Sequence, residues 1–396
     1  MVCEGAKDIW WSAIIWGLLP LLNGRYPRRD ETGAEWTDPT NIANAGEYLA
    51  DGFFAVLWKI RGDGDWFANG LGLEHASSLF PCPWCQATSF SEDHEVTHVF
   101  NCKVAPLYDY SPEAVWRTTV YNDVDEWARQ HGGWTSLHPV FSLPGVSIHS
   151  VMPDVLHIVD LGYTHYAVGN VLFEAAYAPS GSEICSGQPA ERLNTFWKCV
   201  TGVYREQKVR QQLDGMRLSH LCDPKSPKAT SVVLSSRVKA AISRHLVPVL
   251  AVAWERMMKP DCENHVHILA MLKALVDFYE VLKSVEQVLD IEEQVHLEDS
   301  ITRTLVHYNA LSTWANLSDQ RHLWHQVPKF HFFMHIALAS RVSNPRLSWT
   351  YNDEAFMGIL KAIGESCIAG TPAHLVALKI AEKWRLGTGH RLSLAG

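Results

Sequence analysis

Phe53-Phe-Ala-Val-Leu-Trp-Lys-Ile60 runs straight into Arg61-Gly-Asp-Gly-Asp65. An apolar run of strand length, rich in aromatic and branched residues and closed by glycines, predicts a strand from the interior of a sheet. A carboxylate placed just after such a strand can project from the sheet edge and hold a divalent cation, which makes Asp63 and Asp65 candidate ligands. Gly-Asp-Gly-Asp is equally good turn chemistry, so the pair alone decides nothing.

Upstream, Ile9 to Leu22 is apolar, aromatic-rich and broken at Asn23-Gly24, which predicts a buried strand or two. Residues 41–51 predict a short helix. Downstream, a Cys/His-rich loop covers residues 76–108, followed by a helix near 112–131 and a strand near Val140 to Ile148. From Asp154 onward the pattern turns helical, with long segments near 231–258, 264–289 and 291–316. In the second of these, Ile268, Leu272, Leu275, Tyr279 and Leu282 alternate steps of four and three, the stripe of a helix packed on others. A last helix opens at Asn352 or Asp353 and stops near Gly370-Thr-Pro. The expected class is α/β (α+β), in three parts: a core with the Cys/His loop over 1–150, a helical insertion over 151–325, and a closing segment over 326–396.

Cys82-Pro-Trp-Cys85 is the sharpest local motif, because two thiolates two residues apart can grip one tetrahedral zinc from a tight turn. Two completions are open. His98 and Cys102 give Cys-x2-Cys-x12-His-x3-Cys, close to zinc-finger spacing and slightly favoured by spacing alone. His331 and His335, at i and i+4, share one face of the helix expected after Pro328-Lys329. Two ordinary buried cysteines are the plain alternative, and a redox pair is disfavoured because no thioredoxin-like strand precedes the motif. Phe332 stands where an HExxH metalloprotease needs its glutamate. Phe67 likewise removes the third glycine of a dinucleotide-binding loop. Asp154-Val-Leu-His157 can pair carboxylate and imidazole on one helix face, as metal partners or as a structural hydrogen bond. Glu354, in the first turn of the last helix, is where the helix dipole favours an ionised carboxylate; Gly358 leaves that face open, and Lys361 could meet a phosphate.

Hydrophobic residues make up 47% of the 396 and charged residues 19%, a globular composition. A formal charge of -9 speaks against a dedicated nucleic-acid module, leaving Arg25, Arg28 and Arg29 as a local basic cluster for DNA. Nine cysteines are too few for a disulfide scaffold and fit an intracellular protein, nuclear or cytoplasmic. Ile9 to Leu22 is too short to span a bilayer and has the wrong flank for a secretory signal, so no membrane role is expected.

The order of these parts resembles the CACTA-type DDE transposases and the related nuclease of antigen-receptor gene recombination. There, a strand-end Asp precedes a CxxC pair, then come a long helical insertion, a His pair and a catalytic Glu. Leu57-Trp-Lys-Ile before Asp63, and Asp154-Val-Leu-His157-Ile, are similar to stretches of that family. The resemblance implies an RNase H-like mixed sheet with an all-helical insertion, and a structural zinc on Cys82, Cys85, His331 and His335. It implies two-metal Mg²⁺ chemistry on DNA at transposon ends, with Asp63 as second and Glu354 as third carboxylate, Asp65 and Asp154 as fallbacks, and homo-oligomerisation left open. Asp8 and Asp30 fit the first carboxylate poorly, so a copy lacking its N-terminal end and its first Asp is expected, with activity in question. A zinc-stapled, non-enzymatic descendant binding DNA or protein is the first alternative. A GT-A-like glycosyltransferase using Asp63 and Asp65 as a DxD metal pair is the second.

Overall fold

The computed structural model describes residues 6–88 and 108–395, with side chains from 7 to 386 within those spans. The apolar stretch read as a strand at 9–22 is instead helix α1, Ala6–Asn23. Its Trp11, Ile15 and Leu18 pack on the core below, a four-then-three spacing that belongs to a helix. Fourteen residues also exceed ordinary strand length, and length was the better arbiter. Helix α2 is short, Pro39–Asn44, with Asp38 as its N-cap.

The apolar run at 53–60 forms a strand only at its end, β1 (Ile60–Arg61). Phe53, Phe54, Val56 and Trp58 are exposed, so the expected sheet-interior strand shrinks to the two residues that find a neighbour. Asp63 then caps α3 (Gly64–Leu71), accepting a hydrogen bond from the Trp66 amide at 2.6 Å. The helix expected over 112–131 is divided into a 3-10 turn at Val115–Thr119 and α4 (Val124–Gln130). The division falls where Asp123 caps α4 through the amides of Asp125 and Glu126. The strand expected near 140–148 is a series of buried 3-10 turns, Pro139–Ser142 and Ile148–Ser150. Pro139 and the Pro144-Gly145 turn deny it a ladder. The strand comes immediately afterwards as β2 (Val151–Met152), which pairs parallel with β1 in the register Ile60↔Val151 and Arg61↔Met152.

From β2 the chain enters a π-helix, Leu156–Tyr163, continuous with α5 (Thr164–Tyr177). Helix α5 is buried on nearly every face. Helices α6 (Pro189–Glu206) and α7 (Ala240–Met257) pack on it, α8 (Glu263–Val281) packs between α7 and α9 (Ile291–Leu317), and α10 (Pro328–Ala339) packs on α9 and the π-helix. The three long helical segments expected from periodicity are present as α7, α8 and α9. Lys59 Nζ donates to Ser343 Oγ and Arg61 Nη1 to the Leu347 carbonyl, tying β1 to the chain just beyond α10. The class is therefore helix-rich α+β, with one two-stranded parallel sheet among the described residues. No described helix is long and apolar enough to cross a membrane.

The chain divides into two compact units, Met1–Ser348 and Trp349–Gly396. The second holds α11 (Tyr351–Ile368) and α12 (Ala373–Ala395), packed on each other. The expected stop at Gly370 is present, with φ of 70°, while α12 had no counterpart in the sequence reading.

Gly169 is where the helical block is tightest. The segment Val232–Leu234 crosses α5 there, held by Leu234 N–H to the His165 carbonyl (2.9 Å) and Asn170 Nδ2 to the Val232 carbonyl (3.1 Å). A Cβ on Gly169 would lie 2.7 Å from the Leu234 nitrogen, a backbone atom that cannot rotate away. Gly169→Ala should lower the unfolding free energy by about 1–3 kcal/mol. Gly202→Ala, on α6 with no atom within 4 Å, should raise it by about 0.4–1 kcal/mol. Denaturant midpoints of the two variants check both signs.

Candidate metal centre and the adjoining carboxylate cavity

The Cys82-Pro-Trp-Cys85 turn and one face of α10 meet in the interior. Cys82 Sγ lies 3.2 Å from His335 Nε2, Cys85 Sγ lies 3.1 Å from His331 Nε2, and the two Nε2 atoms are 3.1 Å apart. All four donor atoms fall within 4.8 Å of one another, and every side chain is at most 3% exposed. Tetrahedral zinc with ordinary Zn–S and Zn–N bonds requires separations of about 3.3–3.6 Å between sulfur and nitrogen and between nitrogens, so the donor set and spacing fit such an ion. The cluster can hold a metal ion such as zinc. His98 and Cys102, the local completion, lie outside the described residues.

Burial raises the Cys82 thiol, and the neighbouring Cys85 raises it further. Cys85 is drawn down against its own burial by the hydrogen bond from Cys82 and the charge of His335 and His331. Aromatic rings enclose the cluster. Trp116 stands edge-on to His331 at 4.6 Å and Trp84 tilts over His335 at 5.5 Å. Trp84 Nε1 also donates to the Val151 carbonyl at 2.8 Å, fastening the cysteine turn to β2.

The same turn forms one wall of a cavity of about 180 Å³ at the carboxyl ends of β1 and β2. Asp63 and Asp154 each stand two residues beyond their strand, and the strands are adjacent and in register, so both carboxylates face the same opening together with Asp65. Asp154 is buried. Its Oδ1 accepts the Leu156 amide at 3.1 Å, and its Oδ2 accepts the His157 amide at 3.2 Å and lies 2.5 Å from His157 Nδ1. The structural hydrogen bond expected between Asp154 and His157 is present, and both residues nonetheless line the cavity. The π-helix that turns His157 toward it is a distortion often found at functional sites.

The sequence reading missed two charged residues of this cavity. Lys329 enters from the first turn of α10, two residues before His331. Burial lowers its pKa while Asp65, Asp63 and Asp154 raise it. Glu74 also lines it and is held by His131, Nε2 to Oε1 at 2.5 Å. The only signal for Lys329 was its place beside the histidine pair, where it read as a helix start; Glu74 carried no motif at all.

Arg25, Arg28 and Arg29 lie outside this cavity. Arg25 donates to the Gly46 carbonyl at 2.8 Å and covers Tyr48 at 4.1 Å. Arg29 donates to the Gly33 carbonyl at 3.4 Å. With Arg28 they line a shallow cavity that also contains Asp30 and Glu31. Glu354 sits in the first turn of α11, in the second unit, and Lys361 lies 4.0 Å from Glu365 on the same helix. No family model, curated protein or solved structure matches the chain.

Two outcomes follow. Purified protein should carry about one zinc per chain, and His331→Ala with His335→Ala should abolish it, whereas His98→Ala with Cys102→Ser should not. At a metal excess of a thousandfold over Kd the bound ion contributes about 4 kcal/mol, so its loss should lower Tm by on the order of 10 °C; metal analysis and calorimetry read both. The second outcome concerns His131, whose pKa is raised by the Glu74 hydrogen bond against desolvation. A raised folded pKa means that the pair's contribution is complete below about pH 6.5 and fades as pH climbs through the raised value. The stability difference between wild type and His131→Gln should therefore shrink as pH rises from 6 to 9, and a difference that grows would contradict the pairing.

Proposed function

We propose that this chain is a transposase-like phosphoryl-transfer protein of CACTA ancestry, with an RNase H-like core whose reaction centre is the carboxylate cavity beside a structural zinc. The observation that carries this reading is the placing of Asp63 and Asp154 at the carboxyl ends of neighbouring parallel strands. In open α/β sheets that is where ligands bind. The Cys82, Cys85, His331, His335 cluster supports the same reading, because a zinc there would hold the far end of the helical block against the cavity wall.

Divalent magnesium, when bound, would supply Lewis-acid activation of the attacking hydroxyl and stabilisation of the leaving oxygen. The chain's own residues then have definite tasks. Asp63 and Asp154, fixed by capping α3 and the π-helix, present oxygens that need no reordering to receive a cation. Asp65, exposed on the first turn of α3, adds a third carboxylate at the mouth. His157 orients Asp154 through the Nδ1 contact. Phe332 and Trp84 close one side against water. The DNA would be held by its phosphates, with the Arg25, Arg28 and Arg29 cluster as basic contacts outside the cavity and Lys361 as a basic contact on the second unit.

A second reading is favoured by one particular observation: Asp63 and Asp154 are already employed as helix caps. In that case the carboxylates are structural and the protein is a zinc-stapled, non-enzymatic binding module. The two readings part on divalent-cation binding. Under the first, Mn²⁺ titrated into the zinc-loaded protein binds at the cavity, and Asp154→Asn or Asp63→Asn weakens it at least about tenfold. Nicking of supercoiled DNA in Mg²⁺ or Mn²⁺ falls in parallel, and Glu354→Gln, measured in the same assay, reads the role that the resemblance implies for Glu354. Wild-type protein that takes up no Mn²⁺ at millimolar concentration, while Asp154→Asn merely loses stability, would reject the first reading and support the second.

A further inference from the structure

The cavity contains a cation of its own, and the fold makes room for it. Lys329 crosses the π-helix at Gly162, where a Cβ would lie 2.9 Å from Lys329 Cδ and 2.9 Å from the His157 carbonyl oxygen. Gly162 is buried, so neither neighbour can move outward freely. The lysine stem thus reaches the cavity over the one residue in that turn without a side chain, and it lines the wall together with Asp63, Asp65 and Asp154. Among the described residues its ammonium makes no direct ion pair; the carboxylates acting on it are those of the three aspartates, and the buried His165 lies within reach of its charge.

Besides Glu74, which His131 holds, three carboxylates around a small, partly enclosed volume repel one another, and a single lysine offsets part of that charge. A divalent cation entering among the carboxylates satisfies them more fully, but it also sets two positive centres close together. One such cation and the lysine only just balance the three aspartates, and the second cation that two-metal chemistry uses would leave two positive charges unmatched, so the arrangement is then short of an anion on the lysine side. A phosphodiester supplies one: an oxygen that bridges the entering cation and the ammonium relieves both.

We propose that Lys329 is a phosphate-binding residue of this cavity, reached through the gap at Gly162, and that it makes cation and phosphodiester load together rather than separately. The inference rests on the reading of the cavity as a divalent-cation site, and it adds the ligand class that completes the site and the residue that selects it. Linkage gives it a quantitative form: if the phosphodiester tightens cation binding by some factor, the cation tightens phosphodiester binding by the same factor.

The test uses full-length, zinc-loaded protein and two probes, Mn²⁺ followed by electron paramagnetic resonance and thymidylyl-thymidine, whose single phosphodiester is its only anion. In wild type the dinucleotide should tighten Mn²⁺ binding on the order of tenfold, with a matching effect of Mn²⁺ on the dinucleotide. Lys329→Met should bind Mn²⁺ alone more tightly than wild type and lose the enhancement. Gly162→Ala, which keeps the lysine but crowds its path, should lose most of it, and Lys329→Arg should retain part. Zinc content reports that each variant is folded; should Lys329→Met lose zinc, the contrast between Lys329→Arg and Gly162→Ala carries the test. An undiminished enhancement in Lys329→Met, or in Gly162→Ala when the methionine variant does not fold, overturns the role of Lys329 and leaves the cation site standing. Absence of Mn²⁺ binding in wild type with or without the dinucleotide overturns the cation site, and this inference with it.

Discussion

Two cysteines in one tight turn must meet two histidines one helical turn apart, and 246 residues separate Cys85 from His331. That closure organises the first unit. The helical block occupies the intervening chain, so its helices must bring α10 back to the turn after β1. The parallel pairing of Ile60 with Val151, the Trp84 bond to the Val151 carbonyl, and the link from Lys59 to Ser343 all serve the same return. A metal ion holding the four donors would convert a long, entropically costly closure into one local bond set.

The carboxylate cavity is a by-product of the same geometry. Because β1 and β2 are parallel and in register, the residues that follow them emerge side by side, and both strands lead into helices that Asp63 and Asp154 cap. Because α10 delivers His331 to the Cys/His cluster, it delivers Lys329 to the cavity two residues earlier. The thiolate–imidazole cluster and the carboxylates are thus two faces of one wall, sharing Trp84 and Phe332 between them.

Legibility in the sequence followed the range of the forces involved. Helices α8 and α9 were readable because their apolar stripes repeat locally. Glycine signalled the end of α11 for the same reason, through a backbone conformation confined to one turn. The metal cluster was half readable: spacing marked the cysteine pair, while its completion depended on tertiary closure that no local pattern encodes, and only the order of motifs favoured His331 and His335. Helix α1 was not legible because its aromatic and branched content has the composition of a strand, while the spacing of Trp11, Ile15 and Leu18 marks a helix face only beside the core they pack on. The strand at 53–60 was over-extended because apolar character marks the capacity to pair but not the presence of a partner. Lys329 and Gly162 were invisible, since their meaning arises only where one helix crosses another.

The separation of the ligands along the chain also sets an order in time. At ordinary synthesis rates of roughly 5–20 residues per second, the Cys82-Cys85 turn leaves the ribosome roughly 12–50 s before the histidines that complete its cluster. Throughout that interval the two thiols form half a site, exposed to oxidation and to passing metal ions, while β1 waits for β2 for a shorter part of it. Assembly of the wall is therefore a late event in the life of the nascent chain, since His335 is made 253 residues after the Cys82 it meets.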